Sequence, residues 1–545
     1  MKKKISKILC GVCLLGMCCI SLIGCGNKKG TLTYEFIGTE AQKAGYAEGT
    51  ITFETKEVGK YNLYWSDETG ALENFYEIGE VNITKDNTKA EFSFGYHVAI
   101  PADATKLIAV AKDTEATVDK AVAVFDIPVE KRIGYQSADA LYTFNSYSDI
   151  HIDEEKWGEV PAYWWEFSEQ HWAQALEYSA KMNVDFIISS GDQVTNATYR
   201  NMEKEWKSYQ YILASSDYVN PVYEASGNHE IRQAGLEEEG LSDFIFATGL
   251  DSTKKTIKEY KPYYSITEPK TGDLFIFMAL EGGYKPAKEE EFMQEQMDWV
   301  KGLLQDNYQK GRNIYLIQHA NISGYGPGDD LENPYYEGGM DATLSANAEF
   351  KELLEQYKDI IWISGHTHEA YELGYNYTNN NGEACHMIHN SSVGNPTYVT
   401  DGEIDYSFNE SISQGYLVEV FENAILFNGA NLCEQKIYPA YCYIIEGDTT
   451  AKDVPEKTYR TDWSMTTGKA RSVQANAKSV LGVYYEYSSY DTYQRLKKSY
   501  YKYVDADIDA MTNEELSAMY DELGKGIKSL CELVEGVELV AATKK

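Results

Sequence analysis

Residues 360–368 read Ile-Ile-Trp-Ile-Ser-Gly-His-Thr-His, an apolar run that ends in a glycine and two histidines. The run predicts a short buried strand over residues 360–364, because it is bounded by glycine and rich in β-branched and aromatic residues. Sheets of α/β proteins place their ligand sites just beyond the strand ends, so His366 and His368 are candidate site residues. Alternate residues of an extended chain point to the same side, which predicts that both imidazoles face one site.

Four other polar motifs follow predicted strands in the same way: Asp149-Ile150-His151, Gly191-Asp192, Gly227-Asn228-His229-Glu230, and His319 after the strand-like run Ile314-Tyr-Leu-Ile-Gln. Together the five motifs hold five of the nine histidines in the protein. Each alone is explained as readily by a turn, a loop or a core histidine. Carboxylate oxygen and imidazole nitrogen are ligands for divalent cations, and one carboxylate can bridge two ions. The ordered set therefore indicates a candidate ligand site at the ends of the predicted strands.

This ordered series resembles the calcineurin-like metallophosphoesterase superfamily, whose signature runs DxH, GDxx, GNH[DE], a lone His and GHxH. All five elements occur in order between Asp149 and His368. The resemblance implies one metal ion held by Asp149, His151, Asp192 and His368. It implies a second ion held by Asn228, His319, His366 and the bridging Asp192.

The resemblance also implies a chemistry, the hydrolysis of a phosphate monoester or diester by a hydroxide that bridges the two ions. His229 matches the family histidine that contacts the phosphate and protonates the leaving group. Glu230 is interpreted as a residue that orients its neighbours. His386 and His389 lie outside the family pattern and are interpreted as structural, with a role at the pocket as the alternative.

One departure bears on the identity of the metals. In purple acid phosphatases, relatives that pair a sandwich domain with this core, the second motif is GDxxY and its tyrosine ligates ferric iron. The matching position here is Thr195, so a purple ferric centre is not expected. His151 agrees with a divalent pair of Mn²⁺, Fe²⁺ or Zn²⁺, among which the sequence does not choose.

The pattern of apolar and polar residues along the chain predicts three folded regions. From about residue 142, strand-like runs alternate with helical stretches, which is typical of an α/β layered fold. The family resemblance implies that residues 140–430 form a metallophosphoesterase β-sandwich core flanked by helices. Residues 31–130 alternate with period two and predict an all-β domain of immunoglobulin or fibronectin III type. Residues 431–545 predict a mixed, mainly helical segment, in which Thr512-Asn513-Glu514-Glu515 is a capping box and the Tyr-rich stretch 484–503 mainly packs.

The N-terminus resembles a bacterial lipoprotein signal. Four lysines precede 17 uncharged residues, and the run Leu22-Ile23-Gly24-Cys25 resembles the site where a signal peptidase cuts before a lipid-modified cysteine. This implies a signal peptide over residues 1–24, lipidation at Cys25, a tether to residue 30, and a membrane-anchored protein facing outside the cytoplasm. The alternative is a transmembrane anchor, which is disfavoured because glycines and cysteines interrupt a short span.

Net charge bears on the class of binding partner, and cysteine content bears on disulfide bonding. With 85 acidic against 49 basic residues, the formal charge is −36, so nucleic acid is an improbable partner and a small phosphoester is the expected substrate. The cysteines after residue 25 show no disulfide framework, and the oligomeric state is left open. A second hypothesis is a surface binding or adhesion lipoprotein that uses the fold as a scaffold. The intact ligand set weighs against it.

Overall fold

The chain folds into two compact units, seen in a computed structural model. The described residues are 29–153, 167–195, 202–231, 244–245, 247–248, 261–280, 294–308, 311–328, 340, 345–400, 403–405, 409–447 and 467–542. The predicted signal peptide and Cys25 lie outside them. Among the helices within these ranges, none is both long enough and apolar enough to cross a bilayer.

The first unit is all-β and is built from two antiparallel sheets, with strand orders β1-β2-β5 and β4-β3-β6-β7. Its strands are β1 Gly30–Glu35, β2 Gly49–Thr55, β3 Gly59–Ser66, β4 Gly79–Ile83, β5 Lys89–Phe94, β6 Lys106–Ala111 and β7 Ala123–Asp126. Trp65 from one sheet stacks on Phe94 from the other with ring centroids 5.5 Å apart. Alternate residues are buried along β1 and β2, as a period-two pattern requires. The predicted β-rich N-terminal region is confirmed.

The second unit contains two six-stranded sheets, with strand orders β10-β9-β8-β19-β20-β21 and β11-β12-β13-β14-β16-β15. The first sheet consists of β8 Tyr142–Tyr147, β9 Phe186–Ser189, β10 Val222–Glu224, β19 Gln414–Val420, β20 Ala424–Asn431 and β21 Lys436–Glu446. The second consists of β11 Tyr264–Thr267, β12 Leu274–Phe277, β13 Ile314–Ile317, β14 Ile361–Ser364, β15 Tyr377–Thr378 and β16 His386–His389. A separate hairpin pairs β17 Tyr398–Thr400 with β18 Glu403–Asp405.

An aromatic core joins the two large sheets. Phe144 from the first sheet meets Phe275 and Tyr315 of the second edge to face, with ring centroids 5.5 and 5.6 Å apart. Strands β8, β9 and β10 run parallel to one another, as do β12, β13, β14 and β16. Because parallel strands end at the same edge of a sheet, the loops after β8, β9, β10, β13 and β14 can meet.

Helices alternate with strands along the chain and form most of the described C-terminal region. They are α1 Ser168–Met182, α2 Met202–Ser215, α3 Asn228–Ile231, α4 Gln294–Asn307, α5 Ser345–Gln356, α6 Thr467–Val483, α7 Asp491–Tyr503 and α8 Asn513–Ala542. Val300 of α4 and Phe350 of α5 are buried in one cluster with Leu316 of β13. The mixed α/β architecture with extra β and helical regions confirms the predicted fold class.

The C-terminal region differs from the prediction in one respect. Strand β21 pairs antiparallel with β20, so the core sheet continues beyond residue 430, where the predicted catalytic domain ends. The helices α6, α7 and α8 then share a core of their own, with Leu496, Leu516 and Leu523 fully buried. Thr512 and Glu515 form the predicted reciprocal cap, with the Thr512 amide donating to Glu515 Oε2 at 2.8 Å and the Glu515 amide donating to Thr512 Oγ1 at 3.3 Å.

The tyrosines of residues 484–503 divide between core and surface. Four are buried in the helical core, in keeping with the interpretation that this stretch mainly packs: Tyr484, Tyr487, Tyr493 and Tyr503. Three are exposed, Tyr485, Tyr490 and Tyr501, and Tyr500 is partly buried against the same core.

A buried glutamate at the end of β10 leads to a prediction about stability. Glu224 accepts a hydrogen bond from the Tyr209 hydroxyl at 3.1 Å, and burial raises the pKa of Glu224 from 4.5 to about 8. Between these pH values the unfolded chain releases a proton that the folded chain keeps, so this group lowers stability as pH rises. We expect Glu224→Gln to match the native protein at pH 4 and to be more stable by up to about 4 kcal/mol at pH 8.5. Urea unfolding at both pH values measures this, and parallel pH profiles would contradict it.

Candidate metal centre

The predicted ligands lie in loops beyond the strands. Strand β8 ends at Tyr147 and β14 at Ser364, so the paired motifs at residues 149–151 and 366–368 follow the extended segments. The φ angles are positive at Asp149 (53°), His151 (54°), Asp192 (54°), His366 (82°) and His368 (60°). The explanation from strand alternation is therefore wrong. Both members of each pair have left-handed backbone, a conformation that costs energy and recurs at functional sites.

One group of side chains gathers around Asp149. His368 Nε2 lies 3.1 Å and His151 Nε2 3.7 Å from Asp149 Oδ1. The two Nε2 atoms are 3.0 Å apart. The three residues are buried, and their ligand atoms lie within 4.8 Å of one another. Two imidazoles and a carboxylate at this spacing can hold a cation.

A second group gathers around Asp192. His319 Nε2 lies 3.1 Å from Asp192 Oδ2, and His366 Nδ1 lies 3.3 Å from His319 Nε2. Asp192 Oδ2 is also 3.7 Å from His151 Nε2, a member of the first group. Asp192 thus lies between the two sets of imidazoles, where a bridging carboxylate would have to be.

Asn228 completes the set of predicted ligands. It is 8% exposed, and its Oδ1 atom is buried without a hydrogen-bond partner in the described part of the chain. A buried carbonyl oxygen without a partner costs about 1 to 3 kcal/mol unless something else binds it. The donor set of carboxylate oxygen, amide oxygen and imidazole nitrogen suits divalent Mn, Fe or Zn. The residues present therefore fit a pair of such ions.

The charges of the two aspartates are favoured by the surrounding imidazoles. Burial acts to raise the pKa of Asp149, but His368 and His319 outweigh it and hold that pKa well below its usual range. Burial likewise opposes ionisation of Asp192, and His319 and His229 reverse the effect. Burial lowers the pKa of His151, which favours the neutral imidazole that a metal needs. The site thus presents anionic oxygens and at least one neutral nitrogen.

Main-chain carbonyls orient two of the histidines. His368 Nδ1 lies 3.1 Å from the carbonyl oxygen of Asn395, and His229 Nδ1 contacts the carbonyl oxygen of Thr195. Each Nε2 atom therefore points into the site, His229 Nε2 lying 3.9 Å from Asp192 Oδ2. The Thr195 hydroxyl donates to the carbonyl oxygen of His151 at 3.1 Å.

Glu230 connects two of the loops. Its carboxylate accepts hydrogen bonds from the amides of Gly227 at 2.6 Å, Gln193 at 2.8 Å, Asp192 at 3.1 Å and Val194 at 3.3 Å. Burial and the charge of Asp192 raise the pKa of Glu230 to about 8. These contacts fix the loop that carries Asp192 against the loop that carries Asn228.

The glycines of the motifs allow the loops to approach the carboxylates closely. A Cβ atom at Gly227 would lie 2.1 Å from Asp192 Oδ1. A Cβ atom at Gly365 would lie 1.9 Å from Ser148 Oγ and 2.6 Å from Asp149 Oδ2. Real Cβ atoms do not come this close, so alanine at either position would displace a predicted ligand.

The two histidines outside the family pattern lie on β16 but make different contacts. His386 Nδ1 lies 2.8 Å from the Tyr377 hydroxyl. His389 is fully buried, and its Nε2 atom lies 3.0 Å from the hydroxyl of Thr367, the residue between His366 and His368 in the sequence. Their spacing of three residues could have indicated opposite sides of the strand. Nothing in the sequence indicated which one approaches the site.

Comparisons with known proteins agree with the motif pattern. Residues 144–370 match the sequence profile of the family described as calcineurin-like phosphoesterase. No curated protein matches the chain.

Similar solved structures include a dimetal phosphatase from Danio rerio, at 11% identity, 57% coverage of this chain, 100% coverage of that chain and a TM-score of 0.40. Purple acid phosphatase from yellow lupin (Lupinus luteus) seeds aligns at 14% identity over 73% of this chain and 72% of that chain, with a TM-score of 0.38. The calcineurin-like phosphoesterase YfkN from Bacillus subtilis aligns at 12% identity over 63% of this chain and 98% of that chain, with a TM-score of 0.28.

Proposed function

We propose that this metal-dependent phosphoester hydrolase acts on a small phosphate monoester or diester outside the cytoplasm. The starting point is the match of residues 144–370 to the calcineurin-like phosphoesterase family. The observation that carries the proposal is the position of Asp192. Its Oδ2 atom lies within 4 Å of the Nε2 atoms of His151, His229 and His319, which follow three different strands. A site assembled from such distant segments is what a dinuclear centre requires.

The ligands divide between two ions. Asp149, His151, Asp192 and His368 would hold one, and Asn228, His319, His366 and the shared Asp192 would hold the other. A pair of divalent cations here supplies positive charge that acidifies water and offsets the negative charge developing on the phosphoryl oxygens.

His229 moves a proton in this proposal. Its Nδ1 atom is fixed by the Thr195 carbonyl, so the proton available for transfer is on Nε2, which faces the site. Protonated His229 donates this proton to the leaving oxygen. Asp192 Oδ1 accepts a hydrogen bond from the His229 amide at 2.8 Å, which fixes the distance between the acid and the bridging carboxylate.

The negative net charge restricts the class of substrate. With a formal charge of −36, the protein repels long polyanions, whereas a small phosphoester can reach cations at short range. A compact soluble ester is therefore favoured over nucleic acid.

The test of this proposal uses purified full-length protein. We expect about two divalent ions per chain by elemental analysis and hydrolysis of para-nitrophenyl phosphate or bis-para-nitrophenyl phosphate, because these probes separate monoesterase from diesterase activity. Chelation should remove both ions and turnover together, and readdition of Mn²⁺, Fe²⁺ or Zn²⁺ should restore them. A protein that binds no ion and hydrolyses neither probe would contradict the proposal.

The cellular location rests on the N-terminal pattern around Cys25. We expect Cys25→Ala to prevent lipidation and to move the protein out of the membrane fraction of a bacterial host, because the lipid is the proposed anchor. Metabolic labelling with a fatty-acid analogue and fractionation measure this, with Cys433→Ala as the control. An unlabelled native protein would contradict the anchor.

A further inference from the structure

Thr367 and His389 make a buried contact next to the candidate ligands His366 and His368. Thr367 stands between the two histidines of residues 365–368, and its hydroxyl lies 3.0 Å from His389 Nε2. The two residues are 1% and 0% exposed. His389 pairs with Ser364 where β16 runs parallel to β14. His389 therefore lies beside the point where the loop leaves its strand.

The loop needs support at this point because its backbone is strained on both sides of Thr367. His366 and His368 have φ angles of 82° and 60°, which non-glycine residues adopt only when the surroundings hold them. The His366 amide donates to Asp149 Oδ2 at 2.9 Å, and the Thr397 amide donates to the carbonyl oxygen of His368 at 2.8 Å. These bonds hold the two flanking residues, and the contact with His389 holds the residue between them.

His389 also touches the loop that follows β13 and His319. A Cβ atom at Gly328 would lie 2.3 Å from His389 Nδ1, so the imidazole lies directly against the main chain there. Asn321, two residues after His319, donates from Nδ2 to the carbonyl oxygen of Gly328 at 3.2 Å. One buried side chain thus contacts the loops that carry three predicted ligands, His319, His366 and His368.

We propose that His389 is a positioning residue of the metal centre, which holds His366 and His368 in their binding orientation by anchoring Thr367. This inference rests on the proposed function, since it concerns affinity for the same ions. Within the described ranges, the hydrogen bond of the His389 side chain is made to Thr367 and not to a predicted ligand, so His389 acts through the loop.

The experiment measures metal affinity directly. Full-length protein is stripped of metal, and the Kd for Zn²⁺ is determined by competition with a chelating indicator for the native protein, Thr367→Val, His389→Leu and the double variant. We expect each single substitution to weaken binding about 10- to 100-fold, the range found when a partner of a ligand is lost. The double variant should bind Zn²⁺ no more weakly than the single variant with the higher Kd, because both substitutions remove the same contact.

His386→Leu is the matched control, because His386 lies on the same strand and bonds Tyr377. Its Zn²⁺ affinity should stay within about threefold of the native value, a difference that corresponds to less than 1 kcal/mol. Thr367→Val keeps the shape of the side chain and removes only the hydroxyl. If His389→Leu fails to fold, Thr367→Val by itself tests whether the contact supports metal affinity.

Two outcomes would overturn the inference. One is an unchanged Kd in Thr367→Val, even with a lowered melting temperature, since that makes the contact purely structural. The other is a double variant whose loss of affinity is the product of the two single losses, since the residues would then act independently. Failure of the native protein to bind Zn²⁺, Mn²⁺ or Fe²⁺ would instead overturn the proposed function.

Discussion

Asp192→Asn is expected to abolish turnover and to reduce the number of bound divalent ions below two per chain. The substitution keeps the shape of the side chain and removes its charge. Asp192 Oδ2 lies 3.1 Å from His319 Nε2 and 3.7 Å from His151 Nε2, members of the two imidazole groups. A neutral amide offers one ligating oxygen and no charge, so it would not bridge and neutralise two cations as the carboxylate would. We expect a fall in kcat/KM on the order of 10³-fold or more, about 4 kcal/mol of transition-state stabilisation.

The control for this substitution is Asp185→Asn. Asp185 accepts a hydrogen bond from the Thr143 amide at 2.8 Å at the opposite end of β9, so its loss tests folding without touching the centre. Elemental analysis and steady-state kinetics on both variants and the native protein decide the matter. Two ions per chain and native kcat/KM in Asp192→Asn would show that the aspartate does not bridge.

The part of the site visible in the sequence is the part that chemistry restricts to few residue types. Aspartate and histidine at Asp149, His151, Asp192, His319, His366 and His368 are recognisable because divalent ions accept few ligands and the motifs follow apolar runs. The strands were predictable for a different reason: β9, β13 and β14 are mostly apolar four-residue runs in which every residue is buried. The identity of the ligands and the strands that precede them could therefore be predicted from the sequence.

The contacts of the supporting residues could not be predicted from the sequence, because they join distant segments. For Glu230 the sequence indicated only that it orients its neighbours. Glu230 accepts a hydrogen bond from the amide of Asp192, 38 residues away in the sequence, and the Thr367 hydroxyl contacts His389, 22 residues away. Their residue types would suit any surface loop. The left-handed backbone of the ligand pairs was also missed, although Asp and His tolerate that conformation better than most residues.

The end of the catalytic sheet was missed for another reason. Residues 436–446 precede a long polar stretch and then helices, so the sequence groups them with the C-terminal region. Only the pairing of β21 with β20 reveals them as an edge strand of the first large sheet. Strand pairing is a tertiary property, and a single strand carries no sign of its partner.

His229→Ala is the second substitution with a large expected effect, and its result depends on the leaving group. A positioned general acid contributes about 10²- to 10⁴-fold, and most when the leaving oxygen is strongly basic. We expect kcat on an alkyl phosphate ester to fall by about that amount, and kcat on the para-nitrophenyl ester to fall much less. A phenolate that leaves readily needs little help from a proton.

Metal content separates this role from that of a ligand, because the Nε2 atom of His229 also lies near Asp192 and His151 in one possible binding group. As a proton donor, His229 can be lost while about two ions per chain remain bound. As a ligand, its loss would lower the metal content and reduce turnover of both esters equally. The pair of measurements, elemental analysis and the ratio of the two rates, therefore assigns the residue, and an equal loss on both esters with depleted metal would overturn its assignment as the acid.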